Sequence, residues 1–127
     1  MIEINRNSKE LVSSFQNIIS HEYIIVKEGQ KIVFPKALVI KCGLKLGEYI
    51  HFLNEDNEWM FYSSDNTDGF ILTNVNALSS NMQICSYPLS RLILKSTGFY
   101  KEKIFYVERT NIMHDKCPVF KLNSKTK

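Results

Sequence analysis

The stretch KIVFPKALVIKCGLKLGEYIHFLN, residues 31–54, decides the fold. Its first four residues, Lys31-Ile32-Val33-Phe34, are apolar and partly β-branched, which suits a pleated strand. Pro35 then removes a backbone donor and favours the opening turn of a helix. Residues 36–42 are predicted to form that short helix, and Gly43 offers the left-handed residue that often ends one. Past Gly47 the alternation resumes, so residues 49–53 read as another strand.

Upstream, residues 23–26 are a short strand, and Lys27-Glu28-Gly29-Gln30 is a turn that pairs it with 31–34. Downstream, residues 59–63 form a strand joined to 49–53 by the polar loop 54–58. The unit over 23–64 is therefore β-β-α-β-β. After a linker at 64–69 the same order returns: strand 70–73, loop 74–81, strand 82–86 and helix 89–96 opened by Tyr87-Pro88. Strand 104–107, a longer loop at 108–118 and strand 119–122 complete it. Phe34-Pro35 answers Tyr87-Pro88 at a separation of 53, and Gly43 answers Gly98 at 55. Two such units, each too small to bury its own sheet, can close one core between them.

The expected fold is thus mostly β with short helices. Pseudo-repeats 23–64 and 69–122 close one small pseudo-twofold barrel within a single domain, 23–127. A double-psi barrel is the alternative topology. Residues 1–22 hold an expected amphipathic helix, capped by Asn7 with Glu10 three residues on. Leu11, Val12, Phe15, Ile18 and Ile19 form its apolar stripe, to be covered by the barrel, a protein partner or a second copy in a homodimer.

Composition narrows the function. Hydrophobic content of 44% with 23% charged residues suits a globular chain rather than a disordered one. No apolar run reaches membrane-spanning length, and the polar start MIEINRNSKE lacks a signal-peptide core, so cytoplasmic residence is expected. Residues 1–64 carry seven Lys/Arg against eight Asp/Glu, whereas 65–127 carry nine against five, a shift from −1 to +4. A basic second half fits an acidic partner such as nucleic acid. Thirteen lysines against three arginines favour phosphate contacts over base reading.

The chemistry of an enzyme is missing. No GxSxG, HExxH or phosphate-cradling glycine loop occurs, so no catalytic residue and no cofactor is assigned. Three cysteines without CxxC spacing fit neither a disulfide framework nor a zinc finger. His114-Asp115 beside Cys117 is the one local cluster of ligand-type residues, and it is too sparse for a metal site. Trp59, Phe52, Phe61 and Tyr62 alternate on strands and are expected inside the barrel rather than stacked on bases.

The first unit resembles the AbrB/MazE/SpoVT family of swapped-hairpin barrels. The resemblance is carried by Lys31-Ile32-Val33-Phe34-Pro35-Lys36, by Cys42-Gly43-Leu44-Lys45-Leu46-Gly47-Glu48 and by the strand from Tyr49. The chain has Cys42 where the family has Leu and Glu48 where it usually has Asp; the second unit offers Lys101-Glu102 in place of the Gly-Asp step. A tandem arrangement is similar to that of MraZ-like members. The resemblance implies DNA binding and transcriptional regulation. It places Lys31 before the second strand and Lys36 after the proline, while Val39 and Ile40 stand where AbrB-like proteins carry an arginine pair. MazE-like antitoxins resemble the barrel too, but add a long acidic tail where this chain has a short basic one.

The expected DNA-binding residues are therefore Lys27, Lys31, Lys36, Lys41, Arg91 and Lys95, with Lys45, Lys101 and Lys103 nearby. The alternative is a non-catalytic protein-interaction barrel that has lost DNA binding.

Overall fold

The computed structural model describes residues 22–124. Helix 7–21, expected from the sequence, lies outside them. Among the described residues, nine strands and two short helices follow in order: β1 (Tyr23–Val26), β2 (Lys31–Phe34), α1 (Lys36–Cys42), β3 (Tyr49–Glu55), β4 (Glu58–Ser64), β5 (Phe70–Ile71), β6 (Thr73–Asn74), β7 (Met82–Cys85), α2 (Tyr87–Ser96), β8 (Lys103–His114) and β9 (Cys117–Asn123). The strands form one antiparallel sheet in the order β5-β3-β4-β9-β8-β1-β2-β7-β6. That sheet is a nearly closed barrel.

Closure comes from one short extended segment. Its first half, β5, pairs with β3, and its second half, β6, pairs with β7 at the other edge of the sheet. Leu72 sits between the halves, fully buried. Its amide donates to the Glu48 carbonyl at 2.9 Å, and its carbonyl accepts from the Gly47 amide at 2.9 Å. Both backbone groups of Leu72 thus fasten the segment to the edge at β3, and the pairing of Thr73 and Asn74 with β7 joins it to the other edge.

Alternation decides which residues line the interior. Ile24 and Val26 of β1, Ile32 and Phe34 of β2, and Phe61 of β4 all point inward and are inaccessible to solvent. Phe61 meets Phe34 edge-on at 5.8 Å and stacks on Phe120 at 5.4 Å. Each such side chain stabilises the fold by about 1.5–3 kcal/mol through burial. Leu38 and Val39 of α1 and Leu89, Ile93 and Leu94 of α2 join the same core.

The helices begin at opposite ends of β2. α1 follows Phe34 directly, after Pro35 in an extended conformation. α2 starts where the Ser86 amide donates to the carbonyl of Gln30, just before the other end of β2, at 2.7 Å. Both helices end in the same way. In α1 the Gly43 amide donates to the Ile40 carbonyl and the Leu44 amide to Val39; in α2 Gly98 donates to Lys95 and Phe99 to Leu94. Both glycines have positive φ, 65° and 87°, as this double cap requires.

Three loops expected from the sequence are corrected. The loop placed at 108–118 is instead the far half of β8, a two-residue turn and the start of β9. Asp115 and Lys116 make that turn with φ of 49° and 69°, without the glycine that usually marks it. A register shift between Arg109 and Met113 breaks the apolar alternation there, which hides the strand in the sequence. The five-residue loop at 54–58 shrinks to the turn Asp56-Asn57, again with positive φ at both residues. The loop at 74–81 gives up Asn74, which pairs with Met82.

Candidate nucleic-acid interface

α2 is built to show one basic face. Ser86 caps it, its hydroxyl accepting from the Leu89 amide at 3.3 Å, and a proline lies in the first turn. Leu89, Ser90, Ile93 and Leu94 turn into the barrel against β1 and β2. The outward side carries the stripe Tyr87, Arg91 and Lys95, which recur every fourth residue, together with Leu92, 55% exposed. No Asp or Glu occurs anywhere in the helix.

The neighbours of this stripe are basic as well. The β1–β2 turn carries Lys27 and Lys31, both exposed, and it touches the start of α2 through the Ser86–Gln30 hydrogen bond. On the other side of β1, Lys103 pairs opposite Val26 and lies with its ammonium 4.7 Å from the centre of the Phe99 ring. Lys101 is exposed just ahead of it. Glu28 and Glu102 are the acidic residues interspersed among them. Among the described residues, none of Lys27, Lys31, Arg91 and Lys95 is held in an ion pair. Lys95 also lies in the last helical turn, where a cation favours the helix itself.

Lys36 and Lys41 do not belong to this group. They sit on α1, at the other end of β2, with Lys45 beyond it. The Lys36 amide donates to the Asn81 side chain at 2.9 Å. Lys41 borders a depression of about 40 Å³ together with Arg109, Glu22, Leu38, Cys42 and Phe120. Burial pushes the Cys42 thiol up to about 12, with Glu22 adding to the rise and Arg109 and Lys41 opposing it. A thiol so raised is a packing group rather than a nucleophile. Ile40, where the resemblance would place an arginine, is 68% exposed.

Sequence reading missed three exposed side chains in these two regions. Arg109 was hidden in an apparent loop. Tyr87 and Tyr100 stand 56% and 78% exposed, although an aromatic residue usually signals core. Trp59 and Phe61 do face inward, the Trp59 indole donating to the Ser96 hydroxyl at 2.8 Å. Trp59 and Phe105 also line a groove of about 230 Å³, with the Glu58–Lys121 pair at its edge.

The histidines form a different grouping. The Tyr62 ring lies between His51, stacked at 4.7 Å and 7°, and His114 at 4.7 Å and 35°. Ser64 fixes His51 through a 2.8 Å hydrogen bond, and Asp115 lies 3.6 Å from His114. Lost solvation, with Asp115 and Cys117 adding to it, raises the Tyr62 hydroxyl above its ordinary value. The two imidazoles occupy opposite faces of one phenol ring, so they cannot chelate one ion. Among the described residues, no three His, Cys, Asp or Glu side chains are arranged to hold a metal. The stack ties the β8–β9 turn to the β3–β4 hairpin, a structural role.

Comparison with protein families, with curated proteins and with solved structures gives no match. Among the described residues, no helix is long and apolar enough to cross a membrane.

Proposed function

We propose that the chain is a small AbrB-like DNA-binding barrel, acting in transcriptional regulation, that grips phosphates around α2. One observation carries the reading: Lys27, Lys31, Arg91 and Lys95 gather about one helix that has no acidic residue. Phosphate contacts of this kind are blind to sequence and weaken steeply with salt. Lys36 and Lys41 are left out of the site and serve as solvated charges on α1.

A two-unit barrel is part of the proposal, and the strand pairings support it. Exchanging β1 with the β5–β6 segment, β2 with β7, β3 with β8 and β4 with β9 returns the same set of neighbours. The pairs β2·β7 and β4·β9 map onto themselves, β1·β2 onto β6·β7, β3·β4 onto β8·β9, and β1·β8 onto β3·β5. The same exchange carries the Gly43 cap of α1 onto the Gly98 cap of α2.

Fluorescence anisotropy with a labelled DNA duplex, titrated across salt, tests the reading. The logarithm of the affinity should fall linearly with the logarithm of salt. Arg91→Glu with Lys95→Glu should remove most of the binding, whereas Lys36→Glu with Lys41→Glu should leave it nearly unchanged. Absence of binding at about 50 mM salt would sink the proposal.

The second reading, a protein-interaction barrel without DNA binding, is favoured by the exposure of Ile40 (68%) and Leu46 (55%) near α1. It requires an association that Ile40→Lys abolishes, in a protein that leaves the duplex unbound.

A further inference from the structure

We propose that the outer face of α2 is a platform for single-stranded nucleic acid; the inference rests on the phosphate-binding reading and names its substrate. The deciding side chains are Tyr87 and Tyr100, which bracket the helix. Tyr87 opens the outer stripe, and Tyr100 stands in the turn just beyond the other end. Tyrosine is an amphipathic ring that ordinarily lays its flat surface against other apolar groups. Here both rings are more than half exposed, and among the described residues neither contacts another aromatic side chain.

Between them lie Arg91 and Lys95 with the exposed Leu92, and beside the start of the helix lie Lys27 and Lys31. The helix is about 15 Å long, so the two rings are separated by a distance that several nucleotides span. Aromatic rings set along a basic track are the arrangement that holds an unpaired strand: phosphates meet the cations while bases stack on the rings. A duplex keeps its bases stacked on one another and offers these rings nothing. An acidic protein would use the cations but has no need of two bare phenol rings.

Anisotropy of the full chain with labelled oligothymidylate of about 15 nucleotides, beside a duplex of equal length, decides the matter. The single strand should bind at least about tenfold more tightly than the duplex at equal salt. Tyr87→Ala and Tyr100→Ala should each weaken single-strand binding by about tenfold and leave duplex binding within about twofold. Both positions are exposed, and unchanged circular dichroism checks that the variants fold. Arg91→Glu with Lys95→Glu should weaken both ligands. If the charge reversal acts but the tyrosine variants do not, the platform falls while the phosphate reading stands. If neither nucleic acid binds at low salt, both fall. Binding to anionic vesicles in place of either oligonucleotide likewise overturns the inference.

Discussion

α1 and α2 end in the same hydrogen-bonded cap and bury the same kind of inner face, yet they show the solvent different chemistry. α1 presents Lys36, Ile40 and Lys41, with Ile40 68% exposed. α2 presents Tyr87, Arg91, Leu92 and Lys95, and the β1–β2 lysines stand beside it. The inward positions answer to the barrel, which accepts only apolar side chains of the right volume. The outward positions answer to nothing in the fold, so a difference there points to function. Each helix has one exposed aliphatic residue, Ile40 or Leu92, but only the α2 end adds two exposed tyrosines and the β1–β2 lysines.

The inner faces give the largest test of this comparison. Leu38→Ala in α1 and Ile93→Ala in α2 both empty a fully buried site. Each should cost about 3 kcal/mol in a urea titration. Equal losses sharpen the comparison, whereas a loss below about 1 kcal/mol at either helix would break it by showing that helix to be dispensable.

The caps come next. Gly43→Ala and Gly98→Ala force a side chain into the left-handed region, although nothing crowds the added carbon at either site. Backbone strain alone should cost each variant about 1–2 kcal/mol, and the two midpoints should shift together. At the helix starts the ends part company: Ser86 caps α2, whereas Pro35 makes no side-chain cap for α1. Ser86→Ala should therefore cost about 1 kcal/mol, seen as a lower thermal midpoint.

The smallest effect is one of pH. The Cys42 thiol is raised from 9.0 to about 12, so between those values the unfolded chain loses a proton that the folded chain keeps. Stability from this group is full below about pH 9 and declines as pH rises toward 12. Urea midpoints at about pH 8 and about pH 10 should draw apart less in Cys42→Ala than in the parent chain. An identical pH dependence in both proteins would show that the thiol is not shielded beside α1.

Much of the fold was legible because proline and glycine punctuate it. Pro35, Gly43, Pro88 and Gly98 set the limits of both helices, and the apolar runs at 23–26, 31–34 and 49–53 gave strands at those places. The β8–β9 hairpin was hidden because Asp115 and Lys116 adopt positive φ without glycine and the Arg109–Met113 irregularity interrupts the period of two. The closing role of the segment 70–74 could not be read at all, since so short an apolar run says nothing about which strands flank it. At the candidate site, the lysines were visible but their grouping was not. Sequence order placed Lys31 and Lys36 together, while the two ends of β2 separate them and set Lys31 beside a helix some sixty residues on. Exposure of Tyr87 and Tyr100 is likewise a product of packing, not of composition.

The central claim is that one end of the barrel binds nucleic acid and the other does not. Amide chemical shifts of the labelled chain, followed as oligothymidylate is added, test it most directly. The account predicts shifts confined to residues 27–31 and 87–103, with residues 36–45 unmoved. Shifts centred on 36–45, or spread evenly over both ends, would contradict it.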